Sequence, residues 1–178
     1  MIAVKRWTPS VTVAAIIEDA HRPPGQAPRF LLVEEHTPEG LMLNNPAGHL
    51  EEAESPEQGV VREALEETAR VFTPQALVGV YLSRFVRPAT GEDVTYVRFA
   101  YSGTVGEVQP GRTLDPGIVR TLWMTLAELQ ASQERHRSPL VLQCILDHLK
   151  GQHHPLALVS TDASVAAPWV KGGGASAG

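Results

Sequence analysis

A chain of 178 residues with 43% apolar and 20% charged side chains is long enough for one domain with a proper core and needs no second. Its net charge of -5 and pI near 5.8 argue against a protein that coats nucleic acid or lies on a membrane surface, since either calls for a basic patch. Cys144 is the lone cysteine, so no intramolecular disulfide can form and a reducing, cytoplasmic setting fits.

From the N-terminus, Lys5 and Arg6 precede the apolar run Val11 to Ile17, which Glu18 and Asp19 end. That run is too short to span a membrane and lacks a small-residue cleavage site, and its Val, Thr and Ile content makes it a strand. A second strand is expected at Phe30–Glu35, after the Pro- and Gly-containing segment His21–Pro28. Leu41–Leu43 reads as a short strand entering the loop Asn44-Asn45-Pro46-Ala47-Gly48. Ser55 and Pro56 supply an N-cap and a first-turn proline for a helix from Glu57 to about Phe72. Strands follow at Leu77–Val86 and Thr95–Val105 around a turn at Thr90-Gly91-Glu92-Asp93, then a strand at Ile118–Met124 and helices at Leu126–Ser132 and Pro139–Lys150. Lys171–Gly178 is almost wholly Gly, Ala and Ser, the composition of a flexible tail, which we begin at residue 161. This order predicts an α/β fold, a mixed sheet with helices on both faces.

The helix after Ser55 carries the chemistry. A rotation of about 100° per residue sets Val61, Ala64, Leu65, Thr68 and Phe72 on one side and Glu63, Glu66 and Glu67 on the other. Glu63 forms like-charge pairs with Glu66 and Glu67 at i,i+3 and i,i+4, each costing an isolated helix roughly 0.2–0.5 kcal/mol. A positive partner is expected there, and Mg²⁺, held by one or two carboxylates plus the oxygens of a substrate phosphate, is the natural candidate. The plainer alternative is a solvated acidic face, with Arg70 bridging to Glu66 and Glu67.

Gly48, Glu54, Arg62, Glu63, Ala64, Glu66 and Glu67 match the Nudix box, G-x5-E-x7-R-E-U-x-E-E-x-G-U with U apolar. The chain departs from it at Ala69, where glycine is usual, and at Arg70, where an apolar residue is usual. That puts the exit of the helix in question, because glycine there provides a left-handed C-terminal cap. Further segments, Val11-Thr12-Val13-Ala14, Val33-Glu34-Glu35, Asn45 to Glu51, Arg98-Phe99 and Arg137 to Leu140, resemble the NudJ-type phosphatases of the Nudix superfamily. Markers of the ADP-ribose and coenzyme A pyrophosphatases are not evident.

The resemblance implies an α/β/α sandwich over residues 1–160 that hydrolyses phosphoanhydrides of nucleoside di- and triphosphates, hydroxymethylpyrimidine pyrophosphate or thiamine pyrophosphate. It implies Mg²⁺, with Mn²⁺ an alternative, held by Glu63, Glu66, Glu67 and the backbone at Gly48. Cleaving such a bond is mostly a matter of placing a water in line and neutralising phosphate charge. Glu63 is the first choice of base, with Asp115 or Glu107 in the loop Gly106–Gly117 as rivals, Asp115 the better for its tight Asp-Pro-Gly turn. Arg62 and Glu54 are expected to orient the ligands.

Substrate contacts are expected from Arg84, Arg98 and Asn45, with Arg87 and His49 weaker candidates and Tyr81, Phe85, Tyr96 or Tyr101 available to stack on a base. His148, His153 and His154 are poorly spaced for a tetrahedral ion, and Cys144 reads as a core residue of the last helix. The partner is thus a small phosphoanhydride, with neither nucleic acid nor membrane involved. Hydrolysis of a dinucleoside polyphosphate or nucleotide sugar is an alternative, and so is a Nudix module that binds a nucleotide without cleaving it, although such a module would be expected to lose a box glutamate.

Overall fold

The computed structural model describes residues 6–87 and 90–166. Strands β1 (Ser10–Ile17), β2 (Arg29–Thr37), β3 (Gly40–Asn44) and β4 (Ala47–His49) precede helix α1 (Pro56–Thr68). Strands β5 (Phe72–Val86), β6 (Asp93–Val105) and β7 (Ile118–Thr125) follow, then helices α2 (Leu126–Ala131) and α3 (Leu140–Leu149). The expected mixed sheet is the four-stranded one, in the order β4-β1-β6-β5, and a second, three-stranded antiparallel sheet has the order β3-β2-β7. Among the described strands β1 and β6 form the one parallel pair, Ser10 facing Tyr96 through Ile17 facing Gly103.

Alternation along the strands builds two cores. Val13, Ala15 and Ile17 of β1, Leu31 of β2, Leu77 of β5 and Tyr101 of β6 point to one side and meet Val60 and Ala64 of α1. Ile16, Phe30, Leu32, Val78 and Ala100 point to the other and meet Val141, Cys144 and Ile145 of α3 with Leu129 of α2. Helices thus cover both faces, as an α/β/α sandwich requires.

Three departures from the expected elements have physical causes. Ala47–His49, read as loop, pairs antiparallel with Thr12–Ala14 as β4. Strand β5 begins five residues earlier than expected, at Phe72, because register shifts between Pro74 and Ala76 and between Leu77 and Gly79 break the alternation a reader looks for. Helix α1 ends at Thr68 rather than near Phe72: Ala69 turns left-handed at φ 53°, ψ 27°, and its N–H donates to Leu65 O at 3.0 Å. Alanine therefore takes the conformation glycine would hold without strain, at a cost of about 1 kcal/mol. The Arg70 bridge to Glu66 and Glu67 offered by the alternative of a solvated acidic face is not among the ion pairs of the described residues, and Arg70 Nη1 donates to Gly106 O at 2.9 Å. Of the expected tail, residues 167–178 lie outside the described residues, and Ala163–Ala166 form a 3-10 turn.

Candidate active site

Local chemistry fixes the approach to α1. Ser55 accepts from Gln58 N–H at 3.1 Å while Gln58 Oε1 accepts from Ser55 N–H at 2.8 Å, a reciprocal cap worth about 1 kcal/mol, with Pro56 in the first turn. Just before it, β4 lays Gly48 against the helix. A Cβ on Gly48 would stand 2.2 Å from the Glu63 carboxyl carbon, so a side chain at this position would displace the Glu63 carboxylate. Gly59 plays a smaller part of the same kind, since a Cβ there would come within 2.9 Å of Glu54 Oε1.

Arg62 ties the site together. Its Nε and Nη2 donate to the two Glu54 oxygens at 3.0 and 2.7 Å, and Nη2 also donates to His49 O at 3.0 Å. Its Nη1 donates to Glu63 Oε1 at 2.7 Å and Glu66 Oε2 at 3.0 Å. The sequence suggested the pair with Glu54 but not the grip on Glu63 and Glu66. Hydrogen bonding to Arg62 holds the Glu54 carboxyl below the usual carboxylate range.

The carboxylates are less exposed than the helical wheel implies. The buried stripe of α1 is Gly59, Val60, Glu63, Ala64, Glu67 and Thr68, so Glu63 and Glu67 lie beside the core instead of opposite it, while Val61 and Leu65 are half-exposed. Glu67 Oε2 accepts from Ala47 N–H at 2.8 Å. Burial pushes its carboxyl up to about 9, and the charges of Glu63, Glu35 and Asp115 add to the shift against that hydrogen bond. Burial likewise raises Glu63, against its bond to Arg62.

This donor set of oxygens short of positive charge is what a hard divalent cation neutralises, and in chemistry it fits Mg²⁺ or Mn²⁺. Among the described residues no three Asp, Glu, His or Cys side chains converge at ligand spacing. Glu63 and Glu66 are drawn onto Arg62 and would have to swing from it to bind an ion.

The loop before β7 reaches the same place. Asp115 N–H donates to Glu66 O at 3.1 Å, and its charge acts on both Glu63 and Glu67, whereas Glu107 is exposed with no described contact to them. Sequence reasoning gave Glu35 of β2 no role, although its charge raises Glu67 and its Oε1 accepts from Asn44 Nδ2 at 3.4 Å. No signal in the sequence could mark it, because the contact depends on how the two sheets meet.

The other candidates divide. Arg84 is in an exposed two-pronged ion pair with Asp93, at 2.8 and 2.5 Å, and Arg87 pairs with Glu92, so neither joins the carboxylates. Their partners are next to them on the β5–β6 hairpin. Arg98 is buried, and among the described residues it makes no ion pair and has an Nη1 without a hydrogen-bond partner. Asn45 is buried with an unpartnered Oδ1 between β3 and β4.

Tyr101 is buried under α1, its phenol pushed up to about 12 by burial, and so cannot stack on a base. Phe85 is exposed on the hairpin, Tyr81 OH donates to Asp147 Oδ2 at 3.2 Å, and the rings of Tyr96 and His49 lie 6.2 Å apart. Cys144 is a core residue with its thiol pushed up to about 11 by burial. His148 and His153 meet each other at 2.9 Å, while His154 pairs its backbone with Leu77.

Comparison with known proteins agrees with this geometry. The NUDIX domain model matches residues 8–143. Phosphatase NudJ of Escherichia coli strain K12 is 31% identical over 154 residues, covering 86% of this chain and 92% of that protein. A NUDIX hydrolase from Nitrosomonas europaea superposes with a TM-score of 0.75 at 44% identity, covering 87% of this chain and 98% of its own. The NUDIX domain of Shewanella oneidensis NrtR, solved with ADP ribose, shares the fold at a TM-score of 0.62 and 20% identity over 82% of this chain and 90% of that one. With a match across most of its length and the box helix folded against Gly48, the chain belongs to the Nudix family and is a hydrolase of phosphorus-containing acid anhydrides.

Proposed function

We propose that the protein is a Mg²⁺-dependent phosphatase, with Mn²⁺ able to substitute, acting on small phosphoanhydrides: nucleoside di- and triphosphates, hydroxymethylpyrimidine pyrophosphate or thiamine pyrophosphate. The observation that carries it is the pair of buried carboxylates on one side of α1 beside β4, Glu63 packed against Gly48 and Glu67 accepting from Ala47 N–H, with burial pushing the Glu67 carboxyl up to about 9. The similarity to phosphatase NudJ supports the substrate class. Glu63, Glu66, Glu67 and the Gly48 backbone would hold the ion, which supplies charge neutralisation for the phosphate oxygens and lowers the pKa of a bound water.

The chain's own groups do the rest. Glu63, next to where the ion would be held, is the proposed acceptor of the water proton. Glu54 holds Arg62 through two hydrogen bonds, and Arg62 in turn fixes the directions of Glu63 and Glu66 and clamps the β4 strand through His49 O. Asp115 adds negative charge at the rim and is the rival base. A cytoplasmic setting fits the lone cysteine, and among the described residues no helix is long and apolar enough to cross a membrane.

Hydrolysis of nucleoside di- and triphosphates, hydroxymethylpyrimidine pyrophosphate, thiamine pyrophosphate, ADP-ribose and a dinucleoside polyphosphate, with the products identified, tests the reading. Mg²⁺-dependent release of inorganic phosphate from the nucleoside di- and triphosphates, hydroxymethylpyrimidine pyrophosphate or thiamine pyrophosphate is expected. A strong preference for ADP-ribose or the dinucleoside polyphosphate refutes the substrate assignment.

A further inference from the structure

Away from the carboxylates, the far end of β1 opens on a cavity of about 490 Å³ lined by Glu18, Asp19, Arg22, Ser102, His148 and His153. Thr12 of β1 faces His49, and Glu18 follows six residues later, so at about 3.3 Å per residue about 20 Å separates this cavity from His49.

Local structure brings the two histidines together. His148 is in the last turn of α3, and Gly151 beyond it takes the left-handed conformation, φ 82°, that reverses the chain. Gly151 N–H donates to His148 O at 2.9 Å and Gln152 N–H to Asp147 O at 3.1 Å, while His154 exchanges two backbone hydrogen bonds with Leu77 of β5 at 2.8 and 2.9 Å. His153 is thus held between two anchored residues, and its Nε2 comes within 2.9 Å of His148 Nδ1. Neighbouring His153 and His154 are poorly spaced for one ion, but the turn pairs His153 with a residue five positions before it.

Glu18 settles which nitrogen of His148 is free. Its Oε2 lies 3.3 Å from His148 Nε2, and a carboxylate only accepts, so Nε2 carries the hydrogen and the lone pair is on Nδ1, facing His153. Arg22 steadies Glu18 at 3.2 Å, and Asp19 is committed to Arg29. A carboxylate on the far nitrogen of an imidazole is the arrangement that orients histidine ligands to metals. Spacing then selects the ion. Two nitrogens each about 2.0 Å from one ion stand about 2.9 Å apart at the right angle of tetragonal coordination, and about 3.3 Å apart at the tetrahedral angle. The ring planes are inclined at 53° with centroids 4.7 Å apart, closer than rings meeting head-on across a 2.9 Å gap can be, so the rings lean off the line between the nitrogens. Burial lowers the pKa of His148 and keeps it neutral, as a ligand must be.

We propose that His148 Nδ1 and His153 Nε2 form a second metal site, taking Cu²⁺ or Ni²⁺ with the two nitrogens at neighbouring corners of a tetragonal shell, Glu18 orienting His148 and water in the cavity filling the other corners. Two side chains are the protein's whole share, since among the described residues no third Asp, Glu, His or Cys converges with them. The ion replaces the hydrogen shared by the rings, and His153 carries its proton on Nδ1 instead, so both imidazoles stay neutral. Nitrogen donors set this site apart from the all-oxygen carboxylate cluster, which suits Mg²⁺.

Cu²⁺ titrated into the full chain with excess Mg²⁺ on the carboxylates, followed by electron paramagnetic resonance, tests the site. The tightest site should give a tetragonal spectrum with hyperfine coupling from two imidazole nitrogens. His153→Ala should weaken that binding at least tenfold and leave Mg²⁺-dependent hydrolysis at the wild-type rate, and because His153 is exposed this variant decides the matter if His148→Gln does not fold. Glu18→Gln should weaken Cu²⁺ about tenfold with both nitrogens still seen. Cu²⁺ affinity of His153→Ala within twofold of wild type, or a spectrum without two coupled imidazoles, overturns the site, and unchanged affinity in Glu18→Gln overturns the part given to Glu18.

Discussion

The Glu63 carboxylate occupies the space where a Cβ on Gly48 would be, 2.2 Å from its carboxyl carbon. The two residues are 15 apart in the chain and come from different elements, so the missing side chain on β4 makes the room that the Glu63 carboxylate of α1 fills. Gly48→Ala should push Glu63 aside by an ångström or more. Displacement of that size at a catalytic group costs about 10²-fold in rate. Steady-state kinetics should therefore show turnover down by about that factor, and a turnover within threefold of wild type would mean that Glu63 does not need this position.

Glu67 gives a test of the metal. Its carboxyl is pushed up to about 9, so the folded state takes up its proton more readily than the unfolded chain does. Its stabilising contribution is full below the ordinary glutamate value and is lost as pH rises toward 9. Without divalent cations, the melting temperature should fall over that window, and Glu67→Gln should flatten the fall. At pH 8 in EDTA the variant should melt about 2–4 °C above wild type, while its turnover with saturating Mg²⁺ drops by roughly 10²-fold or more. A variant as active as wild type would remove Glu67 from the ion site.

His148 titrates the other way. Its Nε2 faces Glu18 at 3.3 Å, its Nδ1 meets His153 Nε2 at 2.9 Å, and the ring lies edge-on to Phe30. Burial, helped by the His153 charge and opposed by Glu18, lowers its pKa. The folded state thus favours neutral imidazole, and the stability it contributes is present above about 6.5 and lost as pH falls through the lowered value. Thermal melts from pH 8 to pH 5 should show this loss, and His148→Gln should reduce the slope while lowering stability at pH 8. An unchanged slope would show that another group, such as buried His136, governs the acid limb.

Much of this was legible before any coordinates. Ser55, Pro56 and the spacing of the box residues mark the start of α1 and its carboxylates, because caps and helical periodicity act within a few residues. The end of α1 and its buried stripe were not. A wheel drawn on apolarity favours Val61 and Leu65, yet the chain buries Glu63 and Glu67 against β4, a choice made by tertiary packing. The division into two sheets, and with it the role of Glu35, depends on pairing between strands distant in sequence. Local patterns carry no trace of that.

Arg62 is the sharpest test of how the site is held. Its guanidinium makes hydrogen bonds to Glu54, Glu63, Glu66 and the His49 carbonyl at once, which a planar fork with five donors can do and an ammonium cannot. Lysine at this position keeps the charge but has to give up the two-pronged bond to Glu54 or the grip on the helix carboxylates. If the role is to orient, Arg62→Lys should lower turnover by about 10–100-fold. Mn²⁺ affinity, measured by electron paramagnetic resonance, should stay within threefold, since Arg62 competes with the ion for Glu63 and Glu66 and its loss frees them. An equal loss of affinity and turnover would instead make Arg62 a structural support of the ion site, and wild-type values for both would leave it without a role in either.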